Sequence, residues 1–412
     1  MTGYGVRDRP AEGTSLDLWV KALAITDPSG NRGVLLTLDL CGITREITDH
    51  VAQELGHKYQ LPRSAVIANV SHTHCSPFLP GYLSGLRILP PDGMAKAVAY
   101  TRELEQRMIA AASTALQSMG PVTIGWTEDA ANFAFNRREN READVPALRA
   151  AGKLKGPWDP RVPLLAVRTP NGELRALLVS YACHNTTLDF YQWHGDYAGR
   201  AQLELEQRHP GATVLFAIGC GADMNPGPRR TLALAEQHGR ELADAADRGL
   251  AHTLVPIRGK LATAFADITL NFAEIPPPEK LREAREKDQP NKVIAQAWAA
   301  TVEADLQKKG DRILEYAYPV QVWNLGGLSW IALGGEVVID YSFRLRQELG
   351  ANVWVFGYSN DVMAYIPSER VLKEGRYEGA TSMTAYGKPS PWAPGLEDKI
   401  VRKVHELVAQ TK

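Results

Sequence analysis

The residues of this chain best suited to chemistry are histidines and carboxylates set directly after apolar runs. Val70-Ser71-His72-Thr73-His74-Cys75 places a His-x-His at the end of the run 65–70. Alternate residues of an extended chain face the same side, so the two imidazoles suit a metal ligand beside a proton carrier. A pair of capped loop histidines is the plainer alternative. Tyr181-Ala182-Cys183-His184-Asn185-Thr186-Thr187 repeats the arrangement with one histidine, and Asp196 is placed to cap a helix beginning there. Ile218-Gly219-Cys220-Gly221-Ala222-Asp223-Met224-Asn225-Pro226 is a glycine-rich exit whose Asp and Asn could touch a ligand or simply stabilise a tight turn. The run 329–335 ends in Glu336, a carboxylate that is costly to bury unless paired or bound to a metal. A fifth polar exit runs from Gly357-Tyr358-Ser359-Asn360-Asp361 through Ala364-Tyr365-Ile366-Pro367 to Arg376-Tyr377-Glu378-Gly379.

Two histidines, one carboxylate and one further oxygen donor make a plausible tetrahedral or five-coordinate zinc site. Cys75, Cys183 and Cys220 neighbour these segments, so a thiolate ligand stays open, while the lack of any CxxC pair argues against a structural zinc knuckle. A two-metal site bridged by Asp39 or Asp196 is a further alternative. Other metal-hydrolase patterns fit poorly. Cys75-Ser76-Pro77 stands where a metallo-β-lactamase needs aspartate and histidine, the repeated units of an amidohydrolase barrel are missing, and a calcineurin-like phosphoesterase has its His-x-His last rather than early.

Such residues need a scaffold that brings strand ends together. The runs 33–38, 65–70, 176–181 and 212–218 are short, rich in branched residues and bounded by polar or glycine punctuation, as buried strands are. Helical patterns lie between them at about 44–58, 96–118, 197–208 and 229–249. This alternation predicts an α/β fold, a layered mixed sheet covered by helices. Longer β-like stretches at 261–272 and 316–323 flank a charged insert, about 276–311, whose pattern predicts a helical hairpin broken near Pro290. Ile400, Val401, Val404, Leu407 and Val408 fall at helical spacing and predict a closing amphipathic helix. No linker splits the chain, which reads as a single domain over 1–412.

With 412 residues, 44% hydrophobic, 23% charged and a net charge of −1, the chain has the balance of a soluble globular protein and shows no electrostatic footprint for nucleic acid. No apolar run reaches the roughly 20 residues needed to span a bilayer. The start Met1-Thr2-Gly3-Tyr4-Gly5 has neither a basic nor an apolar leader segment, so no signal peptide is expected in the chain as it stands; a removed leader stays open, as does the oligomeric state.

Taken in order, Ser71-His72-Thr73-His74, Asn136-Arg137, His184-Asn185-Thr186-Thr187, Ala222-Asp223-Met224-Asn225-Pro226, Gly335-Glu336 and Tyr365 with Tyr377-Glu378-Gly379-Ala380 resemble the neutral (alkaline, non-lysosomal) ceramidase family. The resemblance covers nearly the whole chain and corresponds to that family's catalytic domain, without its C-terminal immunoglobulin-like domain. It implies a zinc-dependent amide hydrolase in which His72, His184, Glu336 and Tyr365 hold Zn2+. His74, Arg137 and Tyr377 correspond to residues that carry protons or stabilise the transition state. Where the family has Asp-x-Ser-Pro, this chain has Asp223-Met224-Asn225-Pro226, and an amide cannot replace a hydroxyl nucleophile. Zinc-activated water is therefore the expected nucleophile, with Asn225 hydrogen-bonding substrate or oxyanion. Cys75-Ser76-Pro77-Phe78-Leu79-Pro80-Gly81 also departs from the family's glycine-rich continuation. The expected substrate is a small or lipid-like amide or ester other than ceramide; a catalytically silent metal-binding or ligand-binding homologue is the alternative.

Overall fold

Branched and apolar residues are concentrated in short runs, and these form the strands of three principal sheets. The computed structural model describes residues 1–86, 88–288 and 291–412. The first sheet holds Val20–Thr26, Arg32–Leu38 and Val66–Val70, the first pair antiparallel and the second parallel. The second runs in the order Thr213–Ile218, Leu174–Tyr181, Arg161–Arg168, Thr123–Ala130, Val255–Pro256, and only its first pair is parallel. The third holds Leu261–Asn271, Glu315–Leu325, Leu328–Leu333 and Val353–Phe356, with the last two parallel.

Each sheet therefore contains one parallel strand–helix–strand unit. The crossover helices are Arg45–Tyr59, Asp196–Arg208 and Asp340–Leu349. Parallel neighbours need such a crossover, and it places the carboxyl ends of both strands on the same edge. In this protein those edges meet. Asn69, fully buried, donates to Gly357 O (2.8 Å) and Ser359 Oγ (3.1 Å) and accepts from Ile218 N (2.9 Å), so one side chain ties together strand ends of all three sheets.

The expected helices form at Arg45–Tyr59, Pro91–Gln117, Asp196–Arg208 and Leu232–Ala251, and the closing one at Leu396–Gln410. Pro91 opens its helix at a position where a missing N–H costs nothing. The insert forms helices Pro278–Glu286 and Lys292–Lys309; the break expected near Pro290 lies outside the described residues. One apolar cluster runs from Val34 to Val408, and a second is built around the stacked Trp323, Trp330 and Trp354.

Candidate metal centre

Three apolar strands end at the meeting point, and each is followed by a polar side chain turned inward. His72 lies two residues beyond Val66–Val70 with φ 63°, a left-handed conformation unusual for a non-glycine residue. His184 follows Leu174–Tyr181. Glu336 follows Gly335, whose φ of 76° and lack of a side chain are both required: a Cβ there would stand 2.6 Å from Ile366 and 2.7 Å from the Ala364 carbonyl. Glu336–Val337 then pairs in parallel with Tyr365–Ile366, and the register sets Glu336 directly beside Tyr365.

The donor atoms converge. Glu336 Oε2 is 3.3 Å from His72 Nε2 and 3.1 Å from His184 Nε2, and Tyr365 Oη is 3.4 Å from His184 Nε2. Donors on tetrahedral zinc with bonds of about 2.0–2.1 Å stand about 3.3 Å apart, so the spacing fits. Both rings are also oriented from behind: His72 Nδ1 donates to Cys41 O (2.5 Å) and His184 Nδ1 to Gly221 O (2.6 Å), so both Nε2 atoms point inward. Glu336 is held from behind, with Tyr386 Oη donating to Oε1 and Tyr358 Oη to Oε2.

The charges of these buried groups are tightly coupled. Burial would raise the Glu336 carboxyl, but the charge on His72 and hydrogen bonds from both histidines hold it well below the usual carboxylate range. Burial pulls His72 down, yet the Glu336 carboxylate and the Cys41 thiol outweigh it and raise the imidazole to about 10. Burial and the Arg137 charge push His184 down to about 4, and burial with the neighbouring histidines holds His74 well below its usual value.

Arg137 follows strand Ala134–Asn136, which pairs antiparallel with Met224–Pro226, and its N–H donates to Asp223 O at 2.9 Å. Its guanidinium donates to Glu378 Oε1 (2.8 Å), Tyr365 Oη (3.0 Å) and Asn225 Oδ1 (3.3 Å). His74 Nε2 lies 3.1 Å from His72 Nε2, and its ring is overlain by Gly3 and Tyr4, the tyrosine 4.6 Å away edge-on. Tyr377 is half exposed, its ring 5.3 Å from that of Tyr365 and 5.7 Å from the Arg137 guanidinium. A depression of about 440 Å³ opens onto Arg137, Asn225 and Tyr377. All eight residues singled out in the sequence therefore gather in one place.

Other expectations change. The thiol nearest the centre is that of Cys41, 3.9 Å from His72 Nδ1, and not those of Cys75, Cys183 or Cys220, whose sulfurs face the carbonyls of Leu188, His184 and Val355. Those three are adjacent to site residues in sequence but turn to the opposite side of the backbone. Asp196 is the first residue of its helix, and Gly195 is the cap; its carboxylate accepts from Leu188 N and Tyr197 N. Asp39 accepts from Trp19 N. Among the described residues neither joins a metal-binding cluster, so no bridging carboxylate supports a second ion. Asp223 serves the turn, accepting from Ile339 N (2.9 Å) and Asn136 Nδ2 (3.1 Å). Sequence reading assigned no role to Tyr358, Tyr386 or Glu378, whose flanking residues carry no pattern that marks them as partners of the site.

Fold and site together define a ceramidase-like hydrolase scaffold. The N-terminal region of the neutral/alkaline non-lysosomal ceramidase family matches residues 1–228, more than half of the chain, and the chain belongs to that family. The neutral ceramidase from Pseudomonas aeruginosa superposes with a TM-score of 0.72 at 16% identity, covering 98% of this chain and 72% of that one. A ceramidase complexed with C2 gives a TM-score of 0.72 at 17% identity and the same coverage. At such identities the fold is what is shared. No curated protein matches the chain. Among the described residues, no helix is long and apolar enough to cross a membrane.

Proposed function

We propose that the chain is a single catalytic domain that hydrolyses amide or ester bonds with zinc held by His72, His184, Glu336 and Tyr365. The observation that carries this reading is the convergence of four donors, with Glu336 3.1 and 3.3 Å from the two histidines and Tyr365 3.4 Å from His184, and with both Nδ1 atoms facing backbone carbonyls. Zinc bound there would acidify a water molecule and polarise the scissile carbonyl. Arg137 supplies a fixed cation for the developing oxyanion, and Glu378 keeps its guanidinium from swinging away. His74, held neutral by burial, takes a proton at Nε2 and returns it to the leaving group. Asn225 accepts from Arg137 through Oδ1, which leaves its N–H2 to donate to substrate, and Tyr377 flanks the entrance. Asn225 and the altered 75–81 loop favour a small or lipid-like amide or ester other than ceramide.

The test is turnover of a panel of N-acyl amides, lactones and aryl esters alongside metal content, in the parent and in His72→Ala and Glu336→Gln. Loss of both zinc and turnover in the variants is expected. Full zinc with unchanged turnover in both would contradict the site, and bound zinc with silence across the panel would make the chain a binding protein.

A further inference from the structure

The depression beside Arg137 has an unusual charge. Five arginines line it, Arg137, Arg138, Arg141, Arg229 and Arg376, against two carboxylates, Glu142 and Glu378. Most of these charges are paired, for Arg138 also meets Glu374 (2.7 Å) and Arg141 meets Asp144 (3.7 Å). Glu378 is shared by Arg137 (2.8 Å) and Arg138 (2.5 Å), and Glu142 is shared by Arg229 and Arg230. Arg376 makes no ion pair among the described residues; its Nη1 donates only to the Arg138 carbonyl, and its backbone is held at φ 59°. Arg229 is largely buried, and its Nε finds no hydrogen-bond partner. A buried donor without an acceptor is costly, and an unpaired cation on the same concave wall favours an anion.

This cavity borders the reacting centre at Arg137. Arg137 spans the two, reaching His184 Nε2 at 3.4 Å on one side and lining the depression on the other. A neutral amide headgroup would leave Arg376 without a counter-charge, whereas a carboxylate could accept two parallel bonds from a guanidinium.

We propose that the substrate carries a carboxylate close to the scissile bond, held by Arg229 and Arg376 while the carbonyl faces Arg137. The inference rests on the hydrolase reading for the position of the scissile bond, but binding tests it independently. The carboxylate could sit on the amine side or the acyl side. The probes are N-octanoyl-glycinate and N-octyl-succinamate, each paired with its uncharged carboxamide, with binding measured by calorimetry and release of amine followed in parallel samples.

At least one carboxylate is expected to bind 10-fold or more tighter than its carboxamide. The preference should be lost in Arg376→Gln and in Arg229→Gln and reversed toward a cationic analogue in Arg376→Glu. Melting curves establish that the variants are folded; Arg376 is exposed, so its substitution leaves the core untouched. Equal binding of charged and uncharged probes, or a preference that survives in both glutamine variants, overturns the proposal. Selective carboxylate binding without amine release supports the anion subsite while counting against the hydrolase reading.

Discussion

Replacing Arg137 by methionine keeps most of the side-chain volume but removes the cation that touches Tyr365, Glu378 and Asn225 at 3.0, 2.8 and 3.3 Å. Two costs can be separated. For folding, stranding a buried carboxylate costs about 3–5 kcal/mol when nothing else pairs with it. Glu378 retains Arg138 at 2.5 Å, so the loss approaches that of one charge-assisted hydrogen bond, about 1.5–3 kcal/mol. The variant should therefore still fold. For catalysis, deleting a fixed donor to a developing oxyanion typically lowers kcat by about 100- to 1,000-fold. Because Arg137 also orients Tyr365, zinc affinity should fall by about 10- to 100-fold, as is usual when a partner of a metal ligand is lost. The assay is kcat and KM on an N-acyl amide with a chromogenic leaving group, at saturating zinc, with a urea melt of the same sample. A kcat within threefold of the parent would refute oxyanion stabilisation by Arg137. Full recovery by excess zinc alone would reduce the residue to positioning Tyr365.

Tyr386→Phe removes the hydroxyl behind Glu336 Oε1 and should weaken zinc about 10- to 100-fold with little change in melting; zinc titration against a chelator checks this, and unchanged affinity would contradict it. Asn69→Leu removes three hydrogen bonds where the sheets meet and should cost about 2–4 kcal/mol in urea unfolding, whereas a loss below about 1 kcal/mol would show that the junction does not depend on it. Burial raises the Asp223 carboxyl to about 7, so the folded state binds its proton more tightly than the unfolded chain between about pH 4 and 7. Its contribution is fully present at low pH and is lost as pH rises through 7. The stability of the parent relative to Asp223→Asn should therefore fall between pH 5 and 8, and parallel urea midpoints at the two pH values would contradict this.

Strands, helices and the inward-facing His72, His184 and Glu336 were legible in the sequence for one reason: an apolar run ending in a polar residue that a core would not choose is a local pattern. What links those runs is not local. The register of Glu336 against Tyr365 and the grip of Asn69 on Gly357 and Ile218 are long-range pairings that leave no trace in periodicity. For the same reason the alternation of strands and helices announced layers but not their division into three sheets. Side-chain direction was the other blind spot. Cys75 and Cys183 adjoin site residues yet point away, while Cys41, distant in sequence, reaches His72. Tyr386 and Tyr358 sit in irregular segments where no pattern distinguishes a partner of Glu336 from an ordinary core tyrosine.

The central claim is that one zinc ion is held where three strand ends meet. Anomalous diffraction at the zinc edge from crystals of the zinc-loaded protein tests it most directly. The account predicts one peak per chain, about 2.0–2.1 Å from His72 Nε2, His184 Nε2, a Glu336 oxygen and Tyr365 Oη. A peak bound elsewhere, or protein that stays metal-free at saturating zinc yet turns over substrate, would contradict it.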